Sequence, residues 1–141
     1  SINAIAKEVL EDFEEQAAYK ELRIELQENG TCHAQMNPDL ANVLLTNLIK
    51  NAIVHNHQQG FVNITINPDE IIVENSGSNK ALDPHKMFSR FQHESKSASS
   101  TGLGLPIVKA IADLYNLQVN YTFQEYHKLI LSFAYSYRQK K

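Results

Sequence analysis

The spacing of apolar residues changes several times along this chain, from every third or fourth position to every second position and back. The first spacing is typical of an amphipathic helix and the second of a half-buried strand. Helices are predicted over 3–20, 39–56 and 103–115, and strands over 21–27, 31–36, 62–66, 71–73, 117–124 and 128–136. Such an order buries its apolar faces when the helices back one mixed sheet, so the sequence predicts an α/β fold.

Turn and cap residues mark the ends of these segments. Glu28-Asn29-Gly30 has the composition of a tight turn, which predicts a hairpin between the strands 21–27 and 31–36. Asn37 followed by Pro38 is typical of a helix start and places the beginning of the helix over 39–56. We therefore expect a short N-terminal hairpin in addition to the main sheet.

Chain length and composition limit the compatible functions. At 141 residues the chain is expected to form one domain, 1–141. Its formal net charge of −3 gives no reason to expect nucleic acid as a partner. Cys32 is the only cysteine, so no intrachain disulfide forms and a reducing, cytoplasmic compartment is expected. No apolar run approaches the roughly 20 residues that cross a bilayer, so no direct membrane contact is expected.

The helix over 39–56 carries two asparagines on the side opposite its apolar face. Asn47 and Asn51 are four residues apart and therefore lie one above the other. Asparagine is a poor helix former, and the amide oxygen of Asn51 suits the coordination shell of a Mg²⁺ ion shared with phosphate oxygens. The alternative is a pair of ordinary exposed asparagines.

Two glycine-containing segments flank the polar stretch in the second half of the chain. Gly102-Leu103-Gly104-Leu105 opens the helix over 103–115, where glycine permits close approach and the helix start offers N–H groups to phosphate. Glu74-Asn75-Ser76-Gly77 ends a buried strand, where the amide of Asn75 suits the amino group and ring nitrogen of adenine. Each segment alone is equally compatible with an ordinary turn.

In this order, the three elements resemble the nucleotide-binding domain of sensor histidine kinases, within the superfamily of gyrase, Hsp90-like chaperones and mismatch-repair ATPases. Asn47-Leu-Ile-Lys-Asn51-Ala52 resembles the asparagine box of that family, and Asn75-Ser-Gly77 its first glycine box. Phe88-Ser-Arg90-Phe91 resembles the phenylalanine box, and Thr101-Gly-Leu-Gly-Leu105 the second glycine box. The resemblance covers nearly the whole chain.

The resemblance implies a two-layer α/β sandwich with about five strands and three helices, and a mobile lid over 78–101. It implies ATP and Mg²⁺ as cofactors, with Asn51 at the metal and both Asn47 and Asn51 at the phosphoryl-transfer site. The nucleotide-binding residues that it implies are Asn47, Asn51, His55, Asn75, Gly77, Phe88, Phe91, Lys96, Gly102, Leu103, Gly104 and Leu105.

Four positions differ from the family pattern. Asn79 and Ser100 stand where the two glycine boxes usually have glycine, and Asn75 and Val54 stand where charged residues are usual. Asn75 stands where the family usually has aspartate, so the acceptor for the adenine amino group carries no charge. Val54 stands where the family usually has Lys or Arg, and Lys50, Lys96 and His55 are the candidates to replace that cation. These changes affect the expected affinity for ATP.

The residue four positions before Asn51 indicates which acceptor receives the phosphoryl group. Related ATP hydrolases and serine kinases carry a glutamate base there, whereas Asn47 takes up no proton at neutral pH. Neutral imidazole is already nucleophilic, which favours a histidine acceptor. No histidine in the chain has the family's acceptor context, and the chain starts at Ser1 inside a predicted helix. We therefore expect a fragment that follows an upstream dimerisation domain holding the acceptor.

The partners implied by the resemblance are that upstream domain, in a homodimeric kinase, and a cognate response regulator. The alternative function is a nucleotide-sensing or scaffolding domain without phosphotransfer.

Overall fold

Four helices and five strands lie in the described part of the chain, residues 1–77 and 104–133 of this computed structural model. The helices are α1 (Ile2–Asp12), α2 (Glu14–Tyr19), α3 (Pro38–Val54) and α4 (Gly104–Tyr115). The strands are β1 (Arg23–Glu28), β2 (Phe61–Asn67), β3 (Glu70–Asn75), β4 (Gln118–Phe123) and β5 (His127–Ser132). The predicted α/β class is confirmed.

The five strands form one mixed sheet in the order β1-β2-β3-β5-β4. β1 is parallel to β2, and the other neighbouring pairs are antiparallel. Alternate residues of the three central strands are buried, as the period-2 spacing predicts. The helices therefore cover one face of the sheet.

Helix α3 is the centre of the helical layer. Its start is fixed by Asn37, whose side-chain oxygen accepts hydrogen bonds from the N–H groups of Asp39 and Leu40 at 2.7 and 3.3 Å. The helix contacts α1, α4 and β3. Its core-facing residues are Ala41, Leu44, Leu45, Leu48, Ile49, Ala52 and Ile53, all almost completely buried. Full burial of one leucine or isoleucine contributes about 1.5–3 kcal/mol, so this face is a large apolar contribution to the fold.

The N-terminal helix is broken, contrary to the single helix predicted over 3–20. Phe13 has φ −106° and ψ 10°, and its N–H donates to the carbonyl oxygens of Leu10 and Glu11 instead of continuing the helix. α2 then begins at Glu14. Phe13 and Ala17 are both buried, so the break is compatible with core contacts on both sides of it.

The expected N-terminal hairpin does not form. β1 pairs with β2, and residues 31–36 contain no strand. Cys32 instead lies against the start of α1, where its carbonyl oxygen accepts from Ile2 N–H at 2.9 Å and its N–H donates to Asn3 Oδ1 at 2.9 Å. The Asn3 amide also donates to Glu28 Oε1 and the Gly30 carbonyl oxygen, at 2.8 and 3.0 Å. These bonds hold the segment after β1 on the helix rather than on the strand.

The first prediction concerns this amide. Asn3 is 7% exposed, and Asn3→Ala leaves the Cys32 N–H without its acceptor. We expect the free energy of unfolding to decrease by about 1–3 kcal/mol, the usual effect of leaving a buried polar group unpaired. Urea unfolding followed by circular dichroism measures the change. Asn42→Ala, at an exposed position of α3, is the control and should stay within about 0.5 kcal/mol of the unsubstituted chain. Equal losses in the two variants would contradict this role of Asn3.

Candidate functional site

Polar residues interrupt the buried face of the sheet at one end only. Moving across the central strands, one row contains Ile66, Ile71 and Leu131, and the next contains Ile64, Val73 and Leu129. In the third row, Val62 is followed by Asn75 and His127, which are direct cross-strand partners and are 5% and 7% exposed. Burying two polar side chains at the end of an otherwise apolar face has a free-energy cost, so this end is the candidate site.

The amide of Asn75 is oriented by its own backbone. Its Nδ2 donates to the carbonyl oxygen of Ser76 at 2.8 Å. A carbonyl oxygen only accepts hydrogen bonds, so the amide nitrogen must be the atom beside it. Oδ1 is therefore the acceptor end of the group, turned away from the Ser76 carbonyl.

Gly77 passes between the end of α3 and the strand β5. A Cβ atom at this position would lie 3.0 Å from the carbonyl oxygen of His55 and 3.2 Å from His127 Cδ2. Both distances are shorter than ordinary van der Waals contact, so any larger residue would push these two elements apart. Gly77 thus sets the separation between the helix end and the strand.

A lysine from the N-terminal region anchors the end of α3. Lys20 Nζ donates to three carbonyl oxygens, those of Ile53, Val54 and Asn56, at 2.9, 2.8 and 3.1 Å. These carbonyls lie at the C-terminal end of the helix, where a positive charge is favourable to the helix dipole. Nothing in the local sequence pattern indicates this contact, and the sequence analysis did not identify Lys20.

Asn56 connects the same helix end to the sheet. Its Nδ2 donates to the Phe61 carbonyl oxygen at 2.8 Å, and its Oδ1 accepts from His57 N–H at 2.9 Å and from the Ser76 hydroxyl at 2.7 Å. Ser76 Oγ in turn accepts from Phe61 N–H at 2.8 Å. A Cβ at Gly60 would overlap both Asn56 Oδ1 and Ser76 Oγ. The network requires the glycine, and the sequence analysis did not single out Gly60.

His127 lies in a small aromatic group. Its Nδ1 is 2.7 Å from the Tyr121 hydroxyl, and its ring stacks on that of Tyr121 with centroids 5.9 Å apart and planes 21° apart. The Phe123 ring is also close, at 4.7 Å between centroids. His127 was predicted to lie outside the last strand, which begins one residue earlier than expected. Extending the alternation of Leu129 and Leu131 by one step would have placed it on the buried face.

The residues of the predicted asparagine box lie on α3 and at its end. Asn47 is partly exposed, and its amide donates back to the Val43 carbonyl oxygen at 2.7 Å. Asn51 is also partly exposed, and its carbonyl oxygen accepts from His55 N–H at 3.2 Å. The turn of α3 that carries Asn51 thus ends at His55, whose carbonyl lies beside Gly77. The structure gives no contact that brings Asn47 to these residues.

The remaining predicted site residues are described only in part. Gly104 is the first residue of α4, and Leu105 is 6% exposed within the hydrophobic core. Phe88, Phe91, Lys96, Gly102, Leu103 and the expected lid over 78–101 lie outside the described residues. Across residues 1–77 and 104–133, no group of three or more His, Cys, Asp or Glu side chains is placed to hold a metal ion. No helix in those same ranges has the length and apolar character to cross a bilayer.

Comparison with known proteins identifies the family of this chain. Residues 36–134 match the family described as histidine kinase-, DNA gyrase B-, and HSP90-like ATPase. The sensor protein QseC of Escherichia coli K12 is 33% identical over 86 residues, which cover 60% of this chain and 19% of QseC. The sensor histidine kinase HprS of the same organism is 31% identical over 138 residues, which cover 92% of this chain and 29% of HprS. The chain therefore spans less than a third of the length of these relatives.

Among solved structures, a nucleotide-free form of the catalytic domain of the histidine kinase ThkA superimposes with a TM-score of 0.77. The superposition covers 93% of this chain and 92% of that domain, at 24% sequence identity. At this identity the likeness shows the fold.

The second prediction concerns the protonation of His55. Although His55 as a whole is exposed, local desolvation of its ring lowers its pKa below the ordinary value of about 6.5, and the nearby Lys20 and His127 disfavour its protonated form further. The unfolded chain therefore takes up a proton at a pH where the folded chain has not. We expect the free energy of unfolding to decrease as the pH falls below about 6.5, until the folded-state pKa is passed.

An NMR titration of the His55 ring, together with urea unfolding above and below that pH, measures both effects. In His55→Gln the decrease should be smaller, whereas in the exposed His33→Gln it should be unchanged. Lys20→Met should raise the titration midpoint of His55 without restoring its ordinary value, because burial is the larger cause. A His55 midpoint above the ordinary value would contradict the prediction.

Proposed function

Because the chain belongs to the family of histidine kinase-, DNA gyrase B- and HSP90-like ATPases, we propose that it binds Mg²⁺–ATP and donates the γ-phosphoryl group to a histidine. The acceptor belongs to an upstream dimerisation domain of the same sensor kinase. The observation that carries the proposal is the meeting of Asn75, Gly77 and the end of α3 at the polar end of the sheet.

Asn75 is the proposed contact for the adenine base. With its nitrogen beside the Ser76 carbonyl, the amide presents Oδ1 as an acceptor for the exocyclic amine of adenine. This is the role that a carboxylate has in the family pattern, performed here by a neutral group. Gly77 follows Asn75 where the chain packs closely between the His55 carbonyl and His127, so it keeps the end of α3 and β5 at the spacing that the proposed site uses.

Asn51 is the proposed residue at the metal and the phosphates. A neutral amide oxygen on the partly exposed side of α3 fits a Mg²⁺ ion whose other ligands are phosphate oxygens and water. When bound, the ion neutralises the charge that develops on the transferring phosphoryl group. Asn47 stands beside this position, one turn earlier on the helix. The segment Gly102, Leu103, Gly104 and Leu105, of which the last two residues begin α4, is the proposed phosphate cradle.

Val54 stands where the family has a cation, so another residue has to supply that positive charge to the phosphates. Lys20 does not supply that charge, because its ammonium group is bonded to three backbone carbonyls. His55 at the end of α3 is the described candidate, and Lys50 and Lys96 are the others. His55 contributes a charge only when protonated, and its lowered pKa makes that form rare near neutral pH.

The choice of a histidine acceptor follows from Asn47. An amide takes up no proton at neutral pH, and the Asn47 amide donates to its own helix. Attack by water or by a serine hydroxyl needs a base at this position, whereas attack by neutral imidazole does not. The chain's own task is therefore to hold the nucleotide and exclude other nucleophiles.

The partners proposed with this function are the upstream dimerisation domain, in a homodimer, and a response regulator. The proposed location of the domain is the cytoplasm. A second function, nucleotide sensing or scaffolding without transfer, is supported by the uncharged residues at positions 75 and 54.

The third prediction is that Mg²⁺–ADP binds to the 141-residue chain. Asn51→Ala should remove most of the magnesium dependence, because the proposed metal ligand is lost. Asn75→Ala should weaken binding by about 1–3 kcal/mol with or without magnesium, because a buried hydrogen-bond partner is lost. Isothermal calorimetry with and without magnesium makes the comparison, and Asn42→Ala on the exposed face of α3 is the control. No heat at millimolar nucleotide would refute the proposed function.

The fourth prediction separates transfer to histidine from other ATP-dependent reactions. The chain alone should neither label itself nor hydrolyse ATP at an appreciable rate, because no nucleophile is positioned. Supplied with the dimerisation helices of its own parent kinase, it should label a histidine there, and the phosphoryl group should be acid-labile and alkali-stable. Nucleotide binding without any labelling would favour the sensing or scaffolding function, and alkali-labile phosphoserine would indicate a serine kinase.

A further inference from the structure

The end of α2 is bonded to the loop 55–60, which joins α3 to β2. The Lys20 carbonyl oxygen accepts from Gln59 N–H at 2.8 Å, and the Tyr19 carbonyl oxygen accepts from the Gln58 amide at 3.2 Å. The Lys20 side chain extends the same contact to carbonyl oxygens at the end of α3. Lys20 therefore contacts this part of the chain through its backbone and its side chain at once.

The backbone around Lys20 is fixed by the way α2 ends. Leu22 N–H donates to the Ala17 carbonyl oxygen and Glu21 N–H to that of Ala18, both at 3.0 Å, which is the pattern of a Schellman motif. Glu21 has φ 55°, the left-handed conformation that this motif uses and that a residue other than glycine adopts at a cost. These bonds hold the Cα of Lys20 in place relative to α2.

The side chain of Lys20 is matched to the end of α3. An ammonium group has three N–H donors, and three backbone carbonyl oxygens lie within hydrogen-bond distance of Nζ, those of Ile53, Val54 and Asn56. Lys20 is half-buried, so the contact is partly shielded from water. Because α2 fixes one end of the side chain and the carbonyls fix the other, Lys20 holds the end of α3 at one distance from α2.

The carbonyl oxygen of His55 lies between two of these acceptors in the chain. Its neighbours Val54 and Asn56 both have their carbonyl oxygens bonded to Lys20. A Cβ at Gly77 would lie 3.0 Å from the His55 oxygen, so little free space separates the end of α3 from the chain that follows β3. A helix end released from Lys20 therefore alters the path of the chain around Gly77.

The direction of the Asn75 amide depends on this path. Its Nδ2 donates to the Ser76 carbonyl oxygen at 2.8 Å, so a displacement of Ser76 and Gly77 turns the amide as well. We infer that Lys20 is a positioning residue for nucleotide binding, which acts through the end of α3 on the Asn75 amide and does not touch the nucleotide. This inference rests on the proposed function.

A double-mutant cycle tests the connection between Lys20 and Asn75. Mg²⁺–ADP is titrated by calorimetry into the unsubstituted chain, Lys20→Met, Asn75→Ala and the variant with both changes. We expect Lys20→Met alone to weaken ADP binding about tenfold. In the Asn75→Ala background the same change should weaken it much less, because the contact that Lys20 positions is already lost. Equal weakening in both backgrounds, as a charge acting directly on the phosphates would cause, would overturn the inference.

Three further variants separate positioning from a general loss of stability. Lys7→Met removes an exposed lysine of α1, and Asn3→Ala is expected to destabilise the fold away from the site. At a temperature where all variants are folded, both should bind ADP within about twofold of the unsubstituted chain. Lys20→Arg should recover most of the affinity, because a guanidinium group keeps the charge and the donors. Equal weakening in Lys20→Met and Asn3→Ala would show that Lys20 contributes stability alone.

Hydrogen exchange of the unsubstituted chain gives the same test without a substitution, should Lys20→Met fail to fold. Coupling between two sites is reciprocal, so bound nucleotide should hold Lys20 in place by the factor with which Lys20 favours the nucleotide. Saturating Mg²⁺–ADP should slow the exchange of Gln59 N–H about tenfold, because its acceptor is the Lys20 carbonyl oxygen. Asn29 N–H, bonded to the Ile66 carbonyl oxygen at the other end of the sheet, is the control. Unchanged exchange at Gln59 would contradict the inference.

The outcomes also separate this inference from the proposed function. If ADP binds to the unsubstituted chain and Lys20→Met binds it equally well, the proposed function stands and only the inference fails. The same holds if the cycle with Asn75→Ala is additive. If the unsubstituted chain does not bind ADP, the proposed function fails and the inference fails with it.

Discussion

The arrangement of the site depends on how the C-terminal end of α3 is held. The last carbonyls of a helix lack the partners of its interior, and here one ammonium group from the N-terminal region donates to three carbonyls at or just after the helix end. The neighbouring amide of Asn56 fastens the same turn to the start of β2 and to Ser76. Once these bonds are made, the His55 carbonyl has one position relative to the sheet, and Gly77 fits against it. The spacing of the candidate site is therefore set by Lys20 and Asn56, to which no contact with the nucleotide is assigned.

The sheet gives up apolar burial at the candidate site. Two of its three buried rows are apolar across the central strands, whereas the third contains an amide and an imidazole. In the described part of the chain, every buried side-chain nitrogen and oxygen has a hydrogen-bond partner, so the polar row is tolerated without orphaned groups. Its satisfaction depends on short contacts with Ser76 and Tyr121. Such contacts also fix the direction of each group, which is what the recognition of a planar base requires.

The elements with strong periodicity were predictable from the sequence, and the long-range pairings were not. Helix α3 and the strand β2 lie within two residues of their predicted ends because caps and alternation are local signals. The hairpin predicted after β1 was wrong because a turn composition does not decide which strand pairs with which. β1 pairs with the distant strand β2, and the segment after the turn is bonded to the amide of Asn3. Of the site, the asparagine and glycine motifs were visible in the sequence. The contact of Lys20 with the end of α3 was not visible, because a single lysine after an acidic helix forms no sequence pattern that indicates a distant partner.

The parallel pairing of β1 with β2 has a consequence for how the chain reaches this structure. β2 and β3 are joined by a tight turn, and β4 and β5 by another, so both pairs form from neighbouring residues. β1 reaches its partner only across the whole of α3, and the loop closed by that pairing is long. The pairing of β3 with β5 spans a longer stretch of chain still, so on loop-closure grounds we expect the two hairpins to form first and both long-range pairings to follow. The two hairpins alone therefore hold no correctly spaced site, because the end of α3 has its anchor only when β1 and Lys20 are in place.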